Sequence, residues 1–126
     1  MLPEQYRLHR RRDFSATVRG GRRCGRRDLV VHAFSGTDTE TNLISTTGPR
    51  FGLVVSKAVG PAVVRHRVAR RLRHVAATLL GELDSSTDVV IRALPGAAEA
   101  SSQELARQLR SGLERLNLLV PKGDSR

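Results

Sequence analysis

Cysteine is almost missing from this chain: Cys24 is the single one, which excludes an internal disulfide and any cysteine-based zinc site. Aromatic residues are nearly as scarce, 3% of the chain with no tryptophan. No apolar run approaches the roughly 20 residues that cross a bilayer. The basic segments also lack the strip of Trp, Phe and Leu with which a helix inserts into a membrane surface. The first residues, MLPEQYRLHRRRDF, have no apolar stretch of the signal-peptide kind, so a cytoplasmic protein without a membrane partner is expected.

Acidic residues are few and scattered. Asp13, Asp28, Asp38 and Glu40 are separated by arginine-rich or loop sequence, and Glu82, Asp84 and Asp88 flank a turn. That pattern does not supply the clustered carboxylates that hold Mg²⁺ for phosphodiester hydrolysis. His9, His32, His66 and His74 show no metal-ligand spacing and no acid–base pairing. No glycine-rich loop leads into Lys-Ser or Lys-Thr. Neither catalytic residues nor a bound metal or other cofactor is expected of the chain itself.

What is abundant is positive charge. The 126 residues carry 22 Lys plus Arg against 12 Asp plus Glu, a formal +10, and all the cations but Lys57 and Lys122 are arginine. The charge is clustered: residues 7–27 hold +8, residues 57–73 hold +6, and the remainder is −4. Two basic blocks on a mildly acidic body are the footprint of a polyanion-binding protein. Arginine clusters add planar forks that suit phosphates.

The hydrophobic pattern places these blocks on elements. A short helix is expected over Arg12–Arg19, stopped by Gly20-Gly21. Asp28–Phe34, Phe51–Ser56 and Asp88–Ala93 read as strands. The Ser- and Thr-rich stretch 35–50 and the tail 121–126 read as flexible. After Gly60-Pro61, a helix over about 62–80 carries Val64, Val68, Leu72, Val75 and Leu79 on one stripe. Ser101 with Glu104 forms a capping box that opens a last helix with Leu105, Leu109, Leu113 and Leu116 inward. The order helix, strands, helix, strand, helix implies an α+β fold. It is expected as a single-domain α-β sandwich of three helices on a small mixed sheet, ordered over about residues 7–118. Strand 51–56, the long helix and strand 88–93 form a parallel β-α-β crossover, which general rules would make right-handed.

The segment KAVGPAVVRHRVARRLR, residues 57–73, puts arginines on every exposed direction of the 62–80 helix without an acidic partner in helical reach. His66 and Arg70 point most nearly away from the core. This segment resembles the signature of the bacterial ribonuclease P protein component through Ser56-Lys57, Gly60, Ala62-Val63, Arg65, Arg67, Arg70 or Arg71, and Arg73. Leu8, Asp13-Phe14, Gly20, Phe51-Gly52-Leu53 and Asp88 to Ile91 match in the family's order, so the resemblance spans about residues 7–116. Two positions depart from the signature: His66 stands for its central Asn and Ala69 for a basic residue. Val18 and His32 occupy positions where the family favours aromatics.

The resemblance implies a ribosomal-protein-like sandwich whose crossover is left-handed, against the general rule. It also implies a protein subunit that binds a catalytic RNA and the 5′ leader of precursor tRNA. The RNA then removes the leader in a Mg²⁺-dependent reaction, the ion being required by the RNA–protein holoenzyme. On this basis Arg65, His66, Arg67, Arg70, Arg71 and Arg73 are candidates for the catalytic RNA. Phe14, Val18, His32, Phe51 and Lys57 are candidates for the leader cleft, with Phe51 alternatively a core residue beside Leu53 and Val55. Arg10, Arg11, Arg12, Arg22 and Arg23 are auxiliary basic residues. The alternatives are a ribosomal or assembly-type RNA-binding protein without a role in cleavage, a DNA-binding regulator and a stand-alone nuclease. The regulator would need a helix just before residue 62, where the sequence reads as strand and loop. No DNA partner is therefore expected.

Overall fold

The structure, a computed structural model, describes residues 2, 6–8, 17–35, 49–83 and 87–119. Phe14, Arg10 to Arg12, most of the 35–50 loop, the Asp84–Ser86 cluster and the 121–126 tail lie outside the described residues. Residues 17–20 form a helical turn, α1. It is followed by β1 (Arg22–Gly25), β2 (Leu29–Ser35), β3 (Arg50–Val54), α2 (Ala62–Thr78), β4 (Thr87–Ala93) and α3 (Ser102–Arg115). The four strands lie in the order β1-β2-β4-β3. β2 pairs antiparallel with β1 and β4, whereas β3 and β4 are parallel and joined through α2. The mixed sheet and α+β class expected from the sequence are the observed ones.

Strand alternation divides the sheet into two faces. Leu29, Val31 and Ala33 of β2, Val89, Ile91 and Ala93 of β4, and Phe51 of β3 point toward α2 and α3 and form the core. The helices meet them with the expected stripes. Val68, Leu72, Val75 and Leu79 are buried on one, and Leu105, Leu109, Leu113 and Leu116 on the other. Each fully buried Leu or Val contributes roughly 1.5–3 kcal/mol relative to exposure. The capping box is formed in both directions: Glu104 N–H donates to Ser101 Oγ and Ser101 N–H to Glu104 Oε1, both at 3.1 Å. α2 ends two residues earlier than the periodicity suggests, because the chain tightens into a 3₁₀ turn at Leu80–Glu82.

One strand has no precursor in the sequence reading. β1, Arg-Arg-Cys-Gly, shows no apolar alternation, and its residues fall in the basic block that was read only as charge. It forms because its backbone completes the edge of β2, with Arg23 opposite His32 and Cys24 opposite Val31. Charged side chains on such an edge also discourage pairing with another chain. The opposite edge is partly covered: Leu8 N–H donates to the Phe51 carbonyl at 2.8 Å.

Gly21 shows why the chain stops its helix where it does. Gly21 N–H donates to the Thr17 carbonyl at 3.1 Å, and a Cβ there would collide with the Ala33 carbonyl. Only glycine lets α1 lie this close to β2.

Candidate nucleic-acid interface

One basic surface of the described residues is built on α2. With its apolar stripe buried, the 3.6-residue period leaves the cations outward. His66 and Arg70 are exposed, as the helical spacing implied. Arg65, Arg67, Arg71 and Arg73 are half-buried along the flanks. Two of them are tied down. Arg65 Nε donates to the Gly60 carbonyl at 3.2 Å, bracing a turn in which Gly60 has φ +153°, a conformation suited to glycine. Arg71 Nη1 donates to the Ala100 carbonyl at 2.9 Å, linking α2 to the segment before α3. Arg67, Arg70 and Arg73 have no hydrogen-bond or ion-pair partner among the described residues. Val63 at the start of the helix is 74% exposed, so an apolar contact sits beside the guanidiniums.

The second basic surface borders the sheet face turned away from α2 and α3, where His32, Val90 and Gly52 are buried and Arg23 and Arg92 exposed. The registers align Arg23, His32, Val90 and Gly52 in one cross-strand row, and Phe34, Asp88 and Arg50 in the next. Arg50 holds Asp88 through both nitrogens of its fork, at 2.9 and 2.8 Å. His32 is 4% exposed, and neither ring nitrogen has a hydrogen-bond partner. Burial, with Arg92 and Arg23 nearby, pushes its pKa below the ordinary 6.5. The ring is therefore neutral at pH 7. Phe34 is half-buried against Gly20.

Of the five residues assigned to a leader cleft, Phe51 stands apart from the others that are described. His32 lies on this second face, Val18 is half-buried in α1, and Lys57 is exposed in the turn after β3. Phe14 lies outside the described residues. Phe51 is 2% exposed within the hydrophobic core. That corrects its placement in the cleft: its register opposite Val89 turns the ring to the face occupied by the helices. Two residues of the second face were overlooked, Phe34 and Arg92. The signal was available, since Phe34 shares strand parity with His32 and Arg92 shares it with Asp88. The auxiliary pair also splits: Arg23 stays exposed beside His32, whereas Arg22 Nη2 donates to the Leu116 carbonyl at 2.7 Å and caps α3.

The described residues contain no group of three His, Cys, Asp or Glu placed to hold a metal. Of their acids, Asp28 is engaged by Gln108 and Arg27, Asp88 by Arg50, and Glu82 by Arg110. This donor set does not fit a divalent ion. No described helix is long and apolar enough to cross a membrane.

The family model for ribonuclease P matches residues 2–117. The chain belongs to the ribonuclease P protein family. Among its relatives, the ribonuclease P protein component of Rhodococcus erythropolis is 67% identical over 120 residues, covering 95% of each chain. That of Mycolicibacterium paratuberculosis is 51% identical over 126 residues, covering 100% of both. The fold agrees with two solved ribonuclease P proteins. That of Staphylococcus aureus aligns with a TM-score of 0.74 at 21% identity over 90% of this chain and 96% of the other. That of Thermotoga maritima aligns at 0.70 and 21% over 86% and 96%. The segment that resembles the family's signature runs from the turn before α2 along that helix, where Arg67, Arg70 and Arg73 are unpaired among the described residues.

Proposed function

We propose that the chain acts in the cytoplasm as the accessory subunit of ribonuclease P, binding the catalytic RNA through α2 and the 5′ leader of precursor tRNA through the second sheet face. The observation that carries this is the set of unpaired arginines on α2 in a chain of this family. Arg67, Arg70 and Arg73, with His66 between them, present donors to phosphates without breaking an existing bond. Arg65 and Arg71 keep donors to spare, because a guanidinium has five and each uses one here. On the sheet face, Arg23 and Arg92 supply charge and Phe34 an aromatic edge, a combination suited to a single strand. The Mg²⁺ that hydrolysis requires would be held by the RNA, a reading supported by the ion pairs that engage Asp28, Glu82 and Asp88. The protein positions and the RNA cuts.

The test is reconstitution of the full chain with the RNA subunit and a precursor tRNA bearing a 5′ leader, at low Mg²⁺. Cleavage at the mature 5′ end should be faster than with the RNA subunit alone. An unchanged rate would refute the reading.

A further inference from the structure

A third basic surface lies apart from both of these, where the β1–β2 turn meets α3. A groove of about 360 Å³ is lined by Arg26, Arg27, Glu104, Arg107, Gln108 and Ser111. The four α3 residues follow helical spacing and form a stripe along one flank. The turn is anchored on that stripe. Asp28 N–H donates to Gln108 Oε1 and Gln108 Nε2 to Asp28 Oδ2, both at 2.8 Å.

These anchors hold the arginines in place. Arg26 Nη1 donates to Ser111 Oγ at 2.9 Å and its Nε to the Gly25 carbonyl at 2.8 Å, which fixes its fork over α3. Arg27 reaches Asp28 at 3.3 Å and Glu104 at 3.9 Å while its side chain stays largely exposed. The Arg27–Glu104 pair is long and solvent-exposed, and such a pair is weak and exchanges readily for a better anion. Arg107 is exposed and has no partner among the described residues. Three cations against one acid line the groove, two cations are already ordered, and the third is free.

We propose that this groove is a docking site for the phosphodiester backbone of the RNA subunit, independent of α2. Charge complementarity selects the occupant: planar guanidinium forks match phosphate oxygens. No apolar residue lines the groove to seat the nonpolar side chains of a peptide helix, all six lining residues being polar or charged. Its position explains what it adds. α3 packs over β1 and β2, whereas α2 lies toward β3. A protein touching RNA through α2 alone could pivot about that helix, and a second backbone contact at the far edge of the sheet removes this freedom. The inference rests on the reading that RNA is the partner of the α2 face, and the experiment separates the two.

Arg107→Ala and Arg67→Ala, each in the full chain, are titrated against the RNA subunit across a salt series. The titration is repeated with leader-bearing precursor tRNA added to the RNA subunit. One lost phosphate contact lowers the slope of log affinity against log salt by about 0.7–0.9. Binding therefore weakens about five- to eightfold at ~0.1 M salt relative to ~1 M, where the contact vanishes. Arg107→Ala should show this loss, and Arg107→Lys should restore the slope because it restores the charge. Loss in the first titration supports the proposal, and loss only in the second overturns it by assigning the groove to the precursor. If Arg67→Ala lowers the slope and Arg107→Ala does so in neither titration, the groove proposal is overturned and the α2 reading stands. If neither variant changes the slope, both fall. Arg107 is exposed and unpaired, so its variants should melt at the wild-type temperature.

Discussion

His32 should make the fold sensitive to mild acid, and the sign follows from its surroundings. The ring is 4% exposed, has no hydrogen-bond partner at either nitrogen, and lies near Arg92 and Arg23. All three conditions oppose the imidazolium, so the folded-state pKa lies below 6.5. In the unfolded chain the ring titrates near its ordinary value. Above about pH 6.5 the ring is neutral in both states and contributes no pH dependence. As pH falls below that value, the unfolded chain takes up a proton that the folded chain refuses, and stability declines until the folded pKa is reached. The greatest slope from one such group is about 1.4 kcal/mol per pH unit. For a domain of this size that is roughly 4–8 °C in melting temperature per unit. Thermal unfolding of wild type, His32→Phe and His32→Gln between about pH 7.5 and 5 checks it, because the other histidines are common to all three proteins. Wild type should lose stability more steeply than either variant below about pH 6.5. Parallel profiles would show that His32 takes up its proton as readily folded as unfolded and refute the argument.

The other expectations concern the scaffold. Leu109→Ala removes a fully buried side chain of α3 and should cost about 2–5 kcal/mol in denaturant unfolding; a loss below about 1 kcal/mol would mean the core closes over the gap. Ser101→Ala deletes the N-cap acceptor of the same helix and should cost roughly 1 kcal/mol, whereas Ser101→Asp should retain most of the stability. An equal loss in both variants would show that the capping bond is not what matters there.

Much of the architecture was legible because it is written at short range. The α2 stripe repeats at helical spacing, and its burial follows from that period. The capping box of α3 is a four-residue pattern that specifies its own hydrogen bonds. β1 was not legible, since a strand of Arg-Arg-Cys-Gly is held by β2's backbone and carries no pattern of its own. Phe51 was ambiguous for a related reason. A strand's parity is clear from its sequence, but which parity faces the helices depends on how β3 registers against β4.

The arginines draw the same boundary. Their number, their clustering and the outward direction of those on α2 follow from the sequence alone, because charge cannot be buried unpaired and the apolar stripe claims the other side of the helix. Which guanidiniums remain available was decided only by the tertiary structure. Arg22 commits one donor to the Leu116 carbonyl, Arg71 one to Ala100 and Arg65 one to Gly60, while Arg67, Arg70, Arg73 and Arg107 are left wholly free among the described residues. Arg22 and Arg71 reach acceptors 94 and 29 residues away, and even the shorter Arg65 bond depends on the conformation of the turn at Gly60. Local spacing determines where a cation points, and packing determines what it meets.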